Sequence, residues 1–163
     1  MRLLILILSI IIIIIIYTIC YYIFPTEVSI FQTDIDKFDI NVLSSRQPIV
    51  ISDYLQNPEE IINSWFKYNI IDFDDNNENN EDNNDWKHNN HKYLFINAFK
   101  DTEIIIYKAQ ITKINPTPED KIIIIKLKEN QSLILPFKWK YFGNNINIWN
   151  IDDIITFSFG RLF

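Results

Sequence analysis

Hydrophobic positions divide the chain into one uninterrupted N-terminal run and a longer part in which short apolar runs alternate with polar breaks. From Leu3 to Phe24 the sequence contains no charged residue. At about 1.5 Å rise per residue, a helix of this length can cross a hydrocarbon core of roughly 30 Å. The pattern therefore predicts a transmembrane anchor over residues 1–24, with contact to the membrane through residues 3–24, and one domain over residues 25–163.

The C-terminal end of the apolar run has the features of a membrane exit. Tyr17, Tyr21 and Tyr22 gather where amphipathic rings prefer the interface, and Pro25 then ends the helix. A cleaved signal peptide is the competing interpretation, but the apolar core exceeds the usual 7–15 residues and no small-residue cleavage site follows it. A buried core helix is a further alternative, and the run has no polar face to support it.

Charges on the two sides of the run predict its orientation. Arg2 precedes the run, whereas Glu27, Asp34 and Asp36 follow it. Because positive charge tends to remain on the cytoplasmic side, we expect a single-pass membrane protein whose C-terminal domain is lumenal or extracellular.

The remainder of the chain predicts a mainly β domain with one short helix. Asn57 as N-cap and Pro58 at the first helical position predict a helix that runs to about Tyr68 and buries Trp65 in the core. Apolar runs rich in β-branched and aromatic residues predict strands at Pro48–Ile51, Tyr93–Phe99, Glu103–Ile111, Lys121–Leu127, Ser132–Leu135 and Ile154–Phe159. These strands favour an antiparallel sandwich or barrel. Its core residues would include Trp139, Trp149, Phe157, Phe159 and Phe163, and the alternative for one of them is an exposed anchor for a partner.

Polar segments predict the connections. The tract Asp72–Asn90 is rich in Asn, Asp and Glu and has little to bury, so we expect a disordered loop there. Pro116 and Pro118 predict one further connection, and Gly143-Asn144-Asn145 another.

Composition excludes several function classes. The net charge of -6 and the estimated pI of 4.8 leave nothing to hold a phosphate backbone, so we expect no nucleic-acid partner. The single cysteine, Cys20, lies in the apolar run and can form no disulfide within the domain. With Gly143 and Gly160 as the only glycines, the chain has no glycine-rich phosphate loop and no Gly-x-Ser-x-Gly nucleophile turn.

Two stretches resemble a known family. The run from Lys126 to Phe142 contains a turn, an apolar strand, and then Pro136, an aromatic residue and Trp139. The run Arg46–Ile51 is followed by a Trp-bearing helix. In this order the two stretches resemble cupin-like, JmjC-type domains of the 2-oxoglutarate oxygenase class. The resemblance implies a double-stranded β-helix, in barrel or sandwich form.

The same resemblance implies where a metal site would lie. His88-Asn89-Asn90 falls at the family's His-x-Asp motif, and Tyr141 stands where its second histidine would be. Such enzymes need two imidazoles and one carboxylate for Fe(II), so His88, Asn90 and Tyr141 are only vestigial candidates. The family's Gly-x-Lys would fall on Lys100-Asp101-Thr102, which lacks the lysine that pairs with 2-oxoglutarate. We therefore expect no catalytic residues, no bound metal and no cofactor.

Two local motifs remain open. Asp85, His88 and His91 could form a metal cluster of their own, although a polar surface explains them equally. Asn130-Gln131-Ser132 is an N-glycosylation acceptor at a predicted strand turn, which the predicted orientation would expose to the modifying enzyme.

These observations predict a membrane-anchored, non-catalytic, degenerate cupin-like domain that acts as a structural or protein-interaction module. The alternatives are a divergent Fe(II)/2-oxoglutarate-dependent hydroxylase and a ligand-binding barrel. The Ile- and Asn-rich composition with a leading anchor resembles that of proteins encoded by large DNA viruses and, equally, of proteins from AT-rich protists. The implied location is a viral or host endomembrane.

Overall fold

The computed structural model describes residues 2–22, 28–74, 86–108, 116 and 121–159, with side chains in the first helix described at 2–17 and 19. The helices are α1 (Arg2–Tyr22), α2 (Pro58–Trp65) and α3 (Ile154–Phe159), and two 3₁₀ segments span Ile35–Lys37 and Ile40–Ser45. The strands are β1 (Phe31–Thr33), β2 (Ile49–Ile51), β3 (Ile70–Phe73), β4 (Lys87–His88), β5 (Tyr93–Ala98), β6 (Thr102–Lys108), β7 (Ile123–Leu127), β8 (Ser132–Pro136), β9 (Trp139–Phe142) and β10 (Ile146–Asp152).

The strands form two sheets. Sheet A has six strands in the order β1-β2-β8-β5-β10-β3, and sheet B has four in the order β4-β9-β6-β7. The β1–β2 pair is parallel, and the other described pairs are antiparallel. The chain is thus mainly β, as predicted. Over the described residues the sheets do not close into a barrel, so the barrel form is wrong for this part of the chain.

Sheet A is covered on both faces. Between the two sheets lies one core, which contains Leu94, Ile96, Leu133 and Ile148 from sheet A and Ile104, Ile106, Leu127 and Trp139 from sheet B. The other face of sheet A packs on α2 and the 3₁₀ segments through a second core, which includes Leu43, Ile49, Ile62, Phe66, Phe95 and Ile151. Burial on both faces explains why β5 and β8 read as almost continuous apolar runs rather than as alternating ones.

Helix α2 begins at Pro58 as predicted but ends at Trp65, three residues before the expected end. The Asn57 side chain makes no capping hydrogen bond, so the fixed backbone angle of Pro58 and the acidic first turn favour the start instead. Trp65 is partly buried against the second core and stacks on Phe38, with ring centroids 3.9 Å apart. The predicted core position of Trp65 is confirmed.

The predicted strand at Ile154–Phe159 is wrong, because these residues form α3. The Asp153 carboxylate accepts hydrogen bonds from the backbone N–H groups of Ile155 and Thr156, at 3.0 and 2.9 Å. This N-cap outweighs the β-type side chains of the segment. Phe157, predicted to lie in the core, is 63% exposed on α3. The side chain of Phe159 and all of Phe163 lie outside the described residues.

The predicted loop at 72–90 is wrong at both ends, since Asp72 and Phe73 belong to β3 and Lys87 and His88 to β4. Residues 75–85 lie outside the described part of the chain, as do 109–111 of one predicted strand and Pro118. The strands expected near β2, β5, β6, β7 and β8 are confirmed to within a few residues, whereas β1, β3, β4, β9 and β10 were not among the predicted strands.

Asparagines take two of the left-handed backbone positions in this glycine-poor chain, and Arg46 and Lys138 take two others. Asn130, between β7 and β8, has a φ of 66°, and Asn145, between β9 and β10, has a φ of 59°. Asn is the commonest non-glycine residue in this conformation. The predicted turn at Gly143-Asn144-Asn145 is confirmed.

Helix α1 carries large, exposed aliphatic side chains, such as Leu3 at 71% and Ile13 at 61%. Within the part of the chain whose backbone and side chains are both described, no helix is long and apolar enough to cross a membrane.

Candidate functional site at the β4–β9 strand pair

The residues that the family resemblance singles out lie on one strand pair but do not come together. In the β4–β9 ladder, His88 is opposite Lys140 and Lys87 is opposite Tyr141. Side chains directly opposite each other share a face, and neighbours along a strand alternate between faces. His88 and Tyr141 therefore project from opposite faces of sheet B, and no ion could contact both.

Tyr141 belongs to the inner face, which packs against sheet A. Its side chain is 5% exposed and lies in the core with Trp139 and Ile106. Burial raises the pKa of the phenol well above its ordinary value, and the nearby charge of Asp74 raises that pKa further. A phenol in this state does not ionise near neutral pH, and it offers a metal only a neutral oxygen.

Asn89 continues the inner face and ties the two sheets together. Its backbone N–H donates to the Trp139 carbonyl at 2.9 Å, and its side chain is fully buried. The amide Nδ2 donates to the carbonyls of Leu135 and Pro136 at 2.9 and 2.7 Å, while Oδ1 accepts from the His91 backbone N–H at 2.8 Å. The inward positions of this segment are therefore Lys87 and Asn89. The predicted vestigial metal positions, His88 and Asn90, are each one residue further along the chain.

At the outer face of sheet B lies a cationic cluster, which we define as His88 of β4, Lys140 of β9 and Lys138 of the turn that precedes β9. Lys140 is 3% exposed and Lys138 2%. Burial lowers the pKa of both amines, that of Lys138 to about 8. Over the described residues no carboxylate pairs with Lys140. The cluster is positive and offers a metal ion no anionic ligand.

Burial lowers the pKa of His88 to about 4, with a further contribution from the charge of Lys140 and an opposing hydrogen bond with Asn90. His88 and Asn90, the positions that match the resembled His-x-Asp motif, are thus in contact, but beside two ammonium groups. At neutral pH the imidazole is uncharged.

Acidification is expected to destabilise the domain through His88. Because its pKa is about 4 in the folded chain and near 6.5 when unfolded, its contribution to stability is complete above pH 6.5 and is lost as the pH falls to 4. After allowance for solvent screening the loss is on the order of 1 kcal/mol. Urea unfolding of the detergent-solubilised chain from pH 4 to 7 should show this slope, and His88→Gln should flatten it.

The matched variant is Lys140→Met, which removes the neighbouring cation and should raise the pKa of His88 in an NMR titration of its ring. An imidazole that titrates near 6.5 in the parent chain would contradict the buried placement of His88.

A second polar cluster, not predicted from the sequence, joins the start of β5 to the end of β10. Asp152 is 4% exposed, and its Oδ2 lies 2.6 Å from His91 Nδ1, while its Oδ1 accepts from the Lys92 backbone N–H at 2.9 Å. Lys92 Nζ lies 2.8 Å from Asp153 Oδ2. Among the described residues no hydroxyl or thiol is hydrogen-bonded to His91, so the pair has no nucleophile to activate. The sequence signal that could have predicted this cluster is the pair of adjacent acids, Asp152 and Asp153, at the end of an apolar run.

The other predicted positions take part in turns. Thr102 Oγ1 donates to the Asn144 carbonyl at 2.8 Å, and Asp101 Oδ1 accepts from the Glu129 backbone N–H at 2.8 Å. The segment at the position of the family's Gly-x-Lys motif therefore makes contacts between turns. The glycosylation candidate Asn130 is half-buried in the β7–β8 turn, and its carbonyl accepts from the Leu55 backbone N–H at 2.7 Å.

The alternative cluster of Asp85, His88 and His91 is not assembled by the described residues. His91 is hydrogen-bonded to Asp152 rather than grouped with His88, and Asp85 lies outside the described part of the chain. Across residues 2–22, 28–74, 86–108, 116 and 121–159, no group of three or more His, Cys, Asp or Glu side chains could hold a metal ion. Comparison with protein-family models, curated proteins and solved structures gives no match.

Proposed function

We propose that the chain is a membrane-anchored, non-catalytic domain of the cupin-like type that acts as a structural or protein-interaction module. The observation that carries this proposal is the identity of the inward-facing residues on the β4–β9 pair. Lys87, Asn89 and Tyr141 occupy that face, and they supply a cation, a hydrogen-bonded amide and a neutral phenol. None of these groups is suited to Fe(II), which prefers imidazoles and a carboxylate.

Strand order supports the cupin-like part of the proposal. If β3 to β10 are renumbered as strands 1 to 8, the strand order is 1-8-3-6 in sheet A and 2-7-4-5 in sheet B. That is the order of a jelly roll, the double-sheet fold to which cupins belong. β2 and β1 extend sheet A beyond its sixth strand, and they carry the Arg46–Ile51 stretch of the resemblance.

Packing between the sheets supports the non-catalytic part. Trp139, Ile104 and Leu133 are each at most 1% exposed, and they meet in one core at the place where a cupin-like enzyme would keep its pocket. Filling this space with large apolar side chains stabilises the fold by burying their surface, at about 25 cal/mol per Å². It also removes the volume that a metal and a cosubstrate need.

The uncharged run Leu3–Phe24 supports the anchor. The exposed aliphatic side chains of α1 would be unfavourable in water, and a bilayer removes that cost. We place the domain on the lumenal or extracellular side. Glycosylation at Asn130 in microsomes reports that orientation, and Ser132→Ala, which removes the acceptor motif, should abolish it. A chain that is protected from protease but not glycosylated would show that this acceptor is not used.

Two measurements on the detergent-solubilised full chain test the proposal. The first is anaerobic equilibrium dialysis against Fe(II) and 2-oxoglutarate, for the parent and for His88→Ala. We expect no stoichiometric iron in either; iron that is bound by the parent and lost in His88→Ala would favour the hydroxylase alternative and reject our proposal.

The second is affinity capture from the membrane of origin, with the anchor segment alone as the matched control. An interaction module should retain a specific protein that residues 1–28 alone do not. Retention of the same proteins by both would reject the interaction role of the domain.

A further inference from the structure

One corner of the domain exposes large apolar side chains that the proposed interaction role does not use. We define the apolar corner as Tyr68, Ile70, Ile154 and Phe157, which are 92%, 37%, 78% and 63% exposed. Ile154 and Phe157 are three positions apart on α3, so they share one face of that helix. Burying them would be favourable, and the described fold leaves them uncovered.

The four residues lie at the same end of the β3–β10 ladder. Ile70 is paired with Asp152, so β3 begins where β10 ends, and α3 follows at once. Asn69 Nδ2 donates to the Asp152 carbonyl at 3.2 Å, which holds the Tyr68-Asn69-Ile70 turn against the start of α3. The corner is therefore built from two segments that are fixed to each other.

This corner lies beside α1. The Tyr17 hydroxyl donates to Asp153 Oδ2, and Asp153 in turn caps α3. Burial of Asp153 opposes its ionisation, but hydrogen bonds from Lys92, Tyr17 and the Thr156 backbone outweigh that effect and hold the pKa of Asp153 below its usual range. A charged, multiply bonded carboxylate thus connects α1 to α3.

The charges around the corner suit a lipid interface. Lys67 Nζ lies 5.9 Å from the centre of the Tyr68 ring, and Lys92 Nζ is paired with Asp153 next to Ile154. Tyrosine and lysine are the side chains that gather at the level of lipid headgroups, with aliphatic and phenylalanine side chains below them. A bilayer that holds α1 must lie next to the apolar corner, whereas a protein partner could bind anywhere on the domain.

We infer that the apolar corner inserts into the interfacial region of the same bilayer that holds α1, so that lipid is its ligand and the domain is held against the membrane surface. This inference rests on the proposed anchor. Tyr17 is the first of the three tyrosines predicted to gather at the membrane exit, so its bond to Asp153 holds α3 beside that end of α1. The bilayer removes Phe157 and Ile154 from water and leaves Lys92 among the phosphates.

The test measures depth in the bilayer with the full chain reconstituted in phosphatidylcholine vesicles. In a Cys20→Ser background, single cysteines at Leu8, Phe157 and Ile124 carry an environment-sensitive fluorophore, and nitroxide lipids serve as quenchers. Leu8 reports the anchor, Phe157 reports the corner, and Ile124 is a matched apolar control, 57% exposed on β7 of sheet B. We expect quenching at Leu8 and Phe157 that is several-fold greater than at Ile124.

The outcomes separate the inference from the anchor on which it rests. Quenching at Leu8 without quenching at either Phe157 or Ile124 would overturn the inference and leave the anchor standing. Absence of quenching at Leu8 would reject the anchor, and the inference with it. Equal quenching at Phe157 and Ile124 would mean that the domain lies on the bilayer without the stated orientation, which also overturns the inference.

Discussion

Replacement of Trp139 by alanine is expected to lower the free energy of unfolding by about 3–5 kcal/mol. Trp139 is 1% exposed and packs in the core between the two sheets. Truncation removes the largest side chain of that core and leaves a cavity that the β-strands around it cannot collapse to fill. Urea unfolding of the detergent-solubilised chain, followed by circular dichroism, measures the loss.

Two variants sharpen this test. Trp139 Nε1 has no hydrogen-bond partner among the described residues, so Trp139→Phe should cost only the difference in packing, about 1–2 kcal/mol. Ile124→Ala, at an exposed position on the same sheet, should change stability by less than about 0.5 kcal/mol. A loss below about 1 kcal/mol for Trp139→Ala would mean that the sheets do not pack through this residue.

The second large effect is expected at Asn89. Asn89→Ala removes three hydrogen bonds at a fully buried position and should destabilise the chain by about 2–3 kcal/mol. Asn89→Asp should be worse at pH 7, although it conserves shape, because a carboxylate cannot donate to the Leu135 and Pro136 carbonyls and faces them with like charge.

The pH dependence of Asn89→Asp checks this reason. Burial against two carbonyls should raise the pKa of the new carboxyl in the folded chain, so the extra penalty should shrink as the pH falls and the group gains a proton. Asn90→Asp, on the adjacent half-exposed residue, is the matched control and should change stability by less than about 1 kcal/mol. Equal effects at 89 and 90 would contradict the register of β4.

The sequence pattern predicted the strands whose apolar residues are consecutive. The prediction failed for elements whose secondary structure depends on tertiary burial or on local hydrogen bonds. β5 and β8 were found because both of their faces are buried. β10 was missed because its polar residues interrupt the apolar pattern, and these polar groups are tolerated inside the sheet only through tertiary contacts such as that of Asp152 with His91. α3 was predicted as a strand because side-chain preference favoured it, while the Asp153 cap decided the outcome.

The candidate site shows the same limit more sharply. The family resemblance grouped His88 with Tyr141, and they do lie on neighbouring strands. Which face each side chain takes depends on the register of the ladder, and a shift of one residue reverses every face. The buried Asn89 fixes that register, yet its role depends on carbonyls 46 and 47 positions away in the chain. The outward position of Lys140 could have been predicted from the alternation Trp-Lys-Tyr in β9.

The position of β10 in sheet A has a consequence for the chain during synthesis, before it has folded. β10 lies between β3 and β5, so these two strands, which are made early in synthesis, have no connection through the sheet until residues 146–152 emerge. Such distant pairings form slowly, because the loop between them must close before any contact is gained. For that interval β3 and β5 present open edges to other strands. Synthesis of many copies close together is therefore the condition under which this sequence is most exposed to strand pairing between copies rather than within one copy.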